Sequence, residues 1–170
     1  REDNGVFIIE LMNPDLESEA GNHIEKGVLH IFRAKLLLDS TCYEHVRIVN
    51  FGLEPVEVTV SMESGADYTD IFEVRGFRRE RRGTDLKPEM KASEVRLGYR
   101  GLDNVVRNTR ILFDPQPQTL TAERADFPLR LEPKGEAHLY VTVICEENGK
   151  GATPVDYLSA YNRVNEQCRR

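Results

Sequence analysis

The chain has 170 residues, enough for one domain with a substantial core. Its 39% hydrophobic and 31% charged residues are an ordinary globular composition, and the formal net charge is −6. That acidic balance argues against nucleic acid or an anionic membrane surface as partner, because neutralising phosphates takes a basic excess, and no apolar run approaches the length of a membrane span.

In chain order, Val6 to Met12 and Val28 to Leu38 are apolar on both sides, which predicts central strands covered on both faces. A further apolar run covers Cys42 to Val49. "NFGLEP", Asn50 to Pro55, then reads as a hairpin connection, with Gly52 able to take positive φ and Pro55 opening the next strand. Val56, Val58, Val60 and Met62 alternate with Glu57, Thr59, Ser61 and Glu63, the period of a half-buried strand. Val95, Leu97 and Tyr99 repeat the pattern, as do Phe127, Leu129 and Leu131. "EPKGE", Glu132 to Glu136, reads as a second hairpin connection. It leads into Leu139, Val141, Val143 and Cys145, with Tyr140 and Ile144 on the opposite face. About eight or nine strands at this spacing, with no helix between them, predict an all-β fold, an antiparallel β-sandwich of two sheets.

The end of the chain differs. Thr153 is placed to cap a C-terminal α-helix, with Pro154 at its first position and Asp156 three residues after the cap. Tyr157, Leu158, Tyr161, Val164 and Cys168 follow at helical spacing. Such a helix either packs on the β domain or connects to a following one.

Chemistry-bearing motifs are sparse. The three cysteines, Cys42, Cys145 and Cys168, form no CxxC pair and read as reduced thiols. No signal peptide precedes Arg1, so the expected compartment is cytoplasmic. His23, His30, His45 and His138 lack the spacing of a metal site, and no metal or other cofactor is expected. Neither a nucleophile elbow nor a phosphate-binding loop occurs, and "GKGATP" before the helix reads as a turn. Asp67, Asp70 and Glu73 cluster in sequence. On an extended segment Asp70 and Glu73 would point to opposite sides, so no catalytic carboxylate pair is assigned.

The stretch "DIFEVRGFRRERRG", Asp70 to Gly83, holds Arg75, Arg78, Arg79, Arg81 and Arg82 in an acidic chain. Glu80 interrupts the arginines and Asp67, Asp70 and Glu73 precede them, a self-neutralising mixture typical of a salt-bridged surface loop. Tyr68, Phe72 and Phe77 read first as loop anchors, with stacking on bases or sugar rings as the other uses.

Read together, "IELMNPDL" (Ile9–Leu16), the segment Gly27 to Gly83 with its DxxDIFEVRG and RxxRG patterns, and "LGYRGLDNVVRNTRILFDP" (Leu97–Pro115) resemble the N-terminal domain of bacterial-type glycogen debranching enzymes, the amylo-α-1,6-glucosidase-like proteins. The match runs from about Val6 to Cys145. The resemblance implies a β-supersandwich preceding an (α/α)-barrel glycoside hydrolase domain that carries the catalytic acid and base. On this reading residues 1–150 are a truncated N-terminal sandwich without catalytic residues, and residues 151–170 a linker helix toward the catalytic domain.

The resemblance suggests a scaffolding role, in which the catalytic domain of the same polypeptide is the partner. Asp67, Asp70, Glu73, Arg75 and Arg79 are then interface or substrate-rim residues, since arginine suits bidentate pairing with carboxylates across an interface. A stand-alone carbohydrate-binding module acting on α-glucan is the alternative, weakened by the absence of tryptophan. Nucleic-acid binding is disfavoured by charge. Truncation should leave an unpaired edge or uncovered apolar face that promotes self-association, and the arginine run should be exposed and under-paired.

Overall fold

The computed structural model describes residues 5–17, 21 and 23–168. Strands β1 (Val6–Met12), β4 (Leu29–Leu38), β5 (Thr41–Asn50), β7 (Thr84–Lys91), β8 (Glu94–Arg100), β9 (Val106–Asp114) and β12 (Glu136–Glu147) form the large antiparallel sheet. Its order is β1-β4-β5-β12-β9-β8-β7, with β13 (Lys150–Gly151) pairing onto β12. A small sheet faces it, ordered β10 (Thr119–Leu120), β11 (Arg124–Leu131), β6 (Val56–Glu63). The pair β2 (Leu16–Glu17) and β3 (His23–Ile24) adds a short ribbon. Helix α1 (Ile71–Val74) lies between β6 and β7, and α2 (Tyr157–Cys168) follows the last strand. The all-β sandwich with one C-terminal helix is therefore the architecture of the chain.

The period-two runs place the core. Val46, Ile48, Ile111, Phe113, Leu139 and Val141 of the large sheet meet Val56, Ala125, Phe127 and Leu131 of the small one. The Phe113 and Phe127 rings lie 5.9 Å apart across the gap. Glu57 and Ser61 of β6 face solvent, as the alternation requires. On the outer face of the large sheet a second cluster joins Leu36, Leu38 and Tyr43 to Ala160 and Val164 of α2. The helix thus packs on its own domain.

Three expectations are corrected. First, Val6 to Met12 is an edge strand that pairs only with β4 among the described residues; Phe7, Ile8, Leu11 and Met12 are exposed. Its two-sided apolarity does not reflect cover on both faces. Second, neither "NFGLEP" nor "EPKGE" joins a hairpin. β5 pairs with β4 and β12, whereas β6 pairs with β11, so Asn50 to Pro55 carries the chain from the large sheet to the small one. Glu132 to Gly135 carries it back to β12. Both segments do turn the chain, but partner choice is set by which sheet needs each strand's apolar face.

The two crossings share one tie. Asn50, fully buried, donates through Nδ2 to the carbonyls of Glu54 (2.8 Å) and Leu131 (3.0 Å), while its Oδ1 accepts from the Gly52 amide at 2.8 Å. Its backbone amide donates to the Gly135 carbonyl, and its carbonyl accepts from Lys134. Asn13 does similar work before β4, donating to the carbonyls of Pro14 and Glu25 and accepting from the Leu29 amide.

Third, the helix begins later than Thr153. Asp156 is its cap: one carboxylate oxygen accepts from the Ser159 amide at 2.9 Å, and its carbonyl accepts from the Ala160 amide. The Val155 amide donates instead to the Tyr43 hydroxyl at 3.2 Å. That contact with β5 holds the preceding residues out of the helix.

Candidate functional site

The segment 67–83 is a compact structure braced from within. Asp70 and Glu73 form a reciprocal capping box around α1: Asp70 Oδ1 accepts from the amides of Phe72 (2.8 Å) and Glu73 (3.0 Å), and the Asp70 amide donates to Glu73 Oε2 at 3.2 Å. The two carboxylates therefore share one helical turn, which corrects the extended reading that set them on opposite sides. The D-x-x-E spacing was the available signal. The Gly76 amide bonds the Glu73 carbonyl and the Phe77 amide the Phe72 carbonyl, with Gly76 at φ 93°, a Schellman ending that only glycine adopts without strain.

The arginines complete the brace. Arg79 donates to Asp70 Oδ2 through Nη2 (2.6 Å) and Nε (3.1 Å), and its guanidinium lies 5.2 Å from the Phe77 ring centroid. Arg82 lies 3.3 Å from Glu73 and donates to the Asp67 carbonyl at 2.7 Å. Asp67 itself accepts from the Thr69 amide at 3.0 Å. Backbone donation holds both aspartates below the ordinary carboxylate range: the Thr69 amide acts first on Asp67, and the Glu73 amide then Arg79 on Asp70.

The loop is fastened to the sandwich at two points. Tyr68, at φ 50°, stacks on Tyr99 with ring centroids 5.1 Å apart and donates its hydroxyl to the Leu97 carbonyl at 2.8 Å. At the other end the Gly83 amide donates to the Tyr99 hydroxyl at 2.7 Å. Any Cβ at Gly83 would run into the Arg100 carbonyl, so both glycines of the arginine-rich stretch are structural.

Of the five residues singled out in sequence, Asp70, Glu73 and Arg79 are joined directly, Asp67 joins them through Arg82, and Arg75 stands apart. The expected under-pairing is divided: Arg79 and Arg82 are engaged, whereas Arg75, Arg78 and Arg81 have no ion-pair partner among the described residues. The anchor role belongs to Tyr68 alone. Phe72 and Phe77 are each 59% exposed, and Ile71 and Val74 are 56% and 69% exposed. A loop with a fixed fold presents four apolar side chains outward.

A second grouping is invisible in the linear order. On the outer face of the large sheet, His45 Nε2 and His138 Nδ1 are 2.8 Å apart, and His138 Nε2 lies 3.1 Å from Glu136. His45 stacks on Tyr140 at 4.7 Å, and Tyr157 of α2 tilts against both. Burial lowers the His45 pKa, with His138 and Arg47 adding to it. Strand pairing of β5 with β12 brings these residues together from 93 positions apart. All three cysteines are free thiols, Cys42 half-buried and the other two exposed.

These features define a class: a two-sheet antiparallel β-sandwich with a helix on its outer face and a self-braced loop. The family match is more particular. Residues 1–142 match the family described as the N-terminal domain of some glycogen debranching enzymes, and the chain belongs to that family. A solved structure described as a kojibiose phosphorylase from the human microbiome has the same fold over 99% of this chain, with a TM-score of 0.58 and 13% identity. The chain spans 21% of the length of that protein. No curated protein matches the chain. No helix among the described residues is long and apolar enough to cross a membrane.

Proposed function

We propose that this chain is the non-catalytic N-terminal domain of a cytoplasmic glycoside hydrolase acting on α-1,6 branches of α-glucans, and that it packs on the catalytic (α/α)-barrel of the same polypeptide. The loop 67–83 is the docking element and helps shape the substrate entrance. The observation that carries this reading is the contrast within the loop. Asp67, Asp70, Glu73, Arg79 and Arg82 fix the loop's own shape, while Ile71, Phe72, Val74 and Phe77 face outward. Ordering an apolar knob before it meets its partner lowers the entropic cost of docking. Asp67, Asp70, Glu73 and Arg79 then act as the frame. Arg75, Arg78 and Arg81 are free to pair with carboxylates of the barrel. Residues 151–170 form the linker, with Tyr161 on the exposed side of α2 turned toward the barrel.

In the complete enzyme, Phe72→Asp combined with Phe77→Asp is expected to abolish branch hydrolysis and raise protease sensitivity at the domain junction. The unfolding of the sandwich itself should not change. Undiminished hydrolysis by this variant, and by one with Arg75, Arg78 and Arg81 all reversed to Glu, would sink the docking reading.

A further inference from the structure

We propose that the cleft between α2 and the outer face of the large sheet is a binding site for a short stretch of neutral sugar. The cleft has a volume of about 600 Å³ and is lined by His45, Leu112, Asp114, Tyr140, Pro154 and Tyr157 among others. That size falls within the range of small-molecule sites, roughly 300–1,000 Å³.

Its walls are preorganised. The Tyr140 and Tyr157 rings lie 5.9 Å apart, tilted at 43°. His45 backs Tyr140 in a stack, and the hydrogen bond to His138, itself held by Glu136, fixes the ring column. Tyr157 is set by the first turn of α2, which Asp156 caps and Tyr43 positions through Val155. A ligand therefore meets two aromatic rings already in place.

The polar groups choose the ligand class. Of the carboxylates on this face, Asp156 is occupied by Ser159; the Glu44 side chain turns to the inner face of the sheet, where it pairs with Arg33 and Lys35. The Asp114 carboxylate and the Tyr140 and Tyr157 hydroxyls have no hydrogen-bond partner among the described residues. No lysine or arginine lines the cleft, and the lowered His45 pKa keeps that ring neutral near pH 7. An anion finds no positive charge here. A purely apolar ligand would strip water from Asp114 and two phenols without replacement. A cation suits Asp114 but leaves the phenolic donors without acceptors. Sugar hydroxyls both donate and accept, and the C–H face of a pyranose covers an aromatic ring, so one ligand answers all three groups and the platform.

This site is separate from the docking loop, and its test does not depend on that loop. Maltotriose titrated into the chain, followed through the ring resonances of Tyr140 and Tyr157, should give saturable shifts. Tyr157→Ala, a half-exposed position, should weaken binding about tenfold, the loss of one ring contact. Asp114→Asn should weaken it less, while Phe72→Asp leaves it unchanged. Three results would overturn the proposal: no ring shifts at tens of millimolar sugar, shifts confined to residues 67–83, or saturation of the cleft by tetramethylammonium and not by maltotriose.

Discussion

The Asn50 side chain donates to the Leu131 carbonyl at 3.0 Å, tying the end of β5 in the large sheet to the end of β11 in the small one. Both passages between the sheets meet at this amide. The Asn50 side chain is fully buried, and so is its bond to the Leu131 carbonyl, which water does not reach to satisfy instead.

Asn50→Ala should therefore destabilise the domain by about 2–4 kcal/mol, the cost of leaving the buried Leu131 carbonyl and the part-buried Glu54 carbonyl and Gly52 amide without their partner. Asn50→Asp keeps the shape but turns the donor into a carboxylate facing carbonyl oxygens, and should be worse at neutral pH. Urea unfolding followed by circular dichroism compares the two. An Asp variant as stable as wild type would refute the donor role.

Asp70 organises the 67–83 loop locally. Asp70→Ala removes the cap of α1 and the partner of Arg79 together. Amide hydrogen exchange should accelerate for residues 72–77 and remain slow in β12. The effect should be mimicked by acid. Because the folded Asp70 carboxyl is held below its ordinary value, its contribution is present above the unfolded pKa near 3.9 and is lost as pH falls further.

His45 gives a separate pH dependence. Its folded pKa is depressed, chiefly by burial, so the unfolded chain takes up its proton first on acidification. The associated stability is complete above pH 6.5, the ordinary histidine value, and falls away below it. His138, Arg47, Glu136, Tyr140 and Tyr157 surround the ring, and His138 with Arg47 adds to the depression. His45→Phe should flatten the dependence of Tm on pH below 6.5, where the wild-type curve slopes downward. An unchanged slope in the variant would place the titration elsewhere.

Strand β1 offers an exposed apolar edge. We expect self-association of the isolated chain through it, seen as a concentration-dependent mass by light scattering. Ile8→Lys and Met12→Lys, both at exposed positions, should shift the equilibrium to monomer with little change in Tm. A wild-type chain that stays monomeric at high concentration would remove this expectation.

Much of the architecture is legible in the linear order. Alternation at Val56 to Met62, at Phe127 to Leu131 and at Leu139 to Val143 marks strands whose inward residues do build the core. Such patterns are readable because a strand's faces are a local consequence of backbone geometry. The edge position of β1 is not legible, since an apolar strand reads alike in the middle of a sheet and at its border. Nor is the sheet change at Asn50 to Pro55, because a turn that reverses the chain and a turn that crosses layers use the same residues.

The sites divide along the same line. Sequence by itself determined the family and the all-β class; the D-x-x-E signature of Asp70 and Glu73 was present in it, yet the extended reading of that stretch passed over the turn that the structure shows. The pairing of Arg79 with Asp70 and Arg82 with Glu73, the His45–His138 contact and the cleft between Tyr140 and Tyr157 were decided only by tertiary structure. Each depends on where distant strands or chain segments come to lie side by side. That placement is set by the burial of whole faces, a sum over the domain that no local stretch contains.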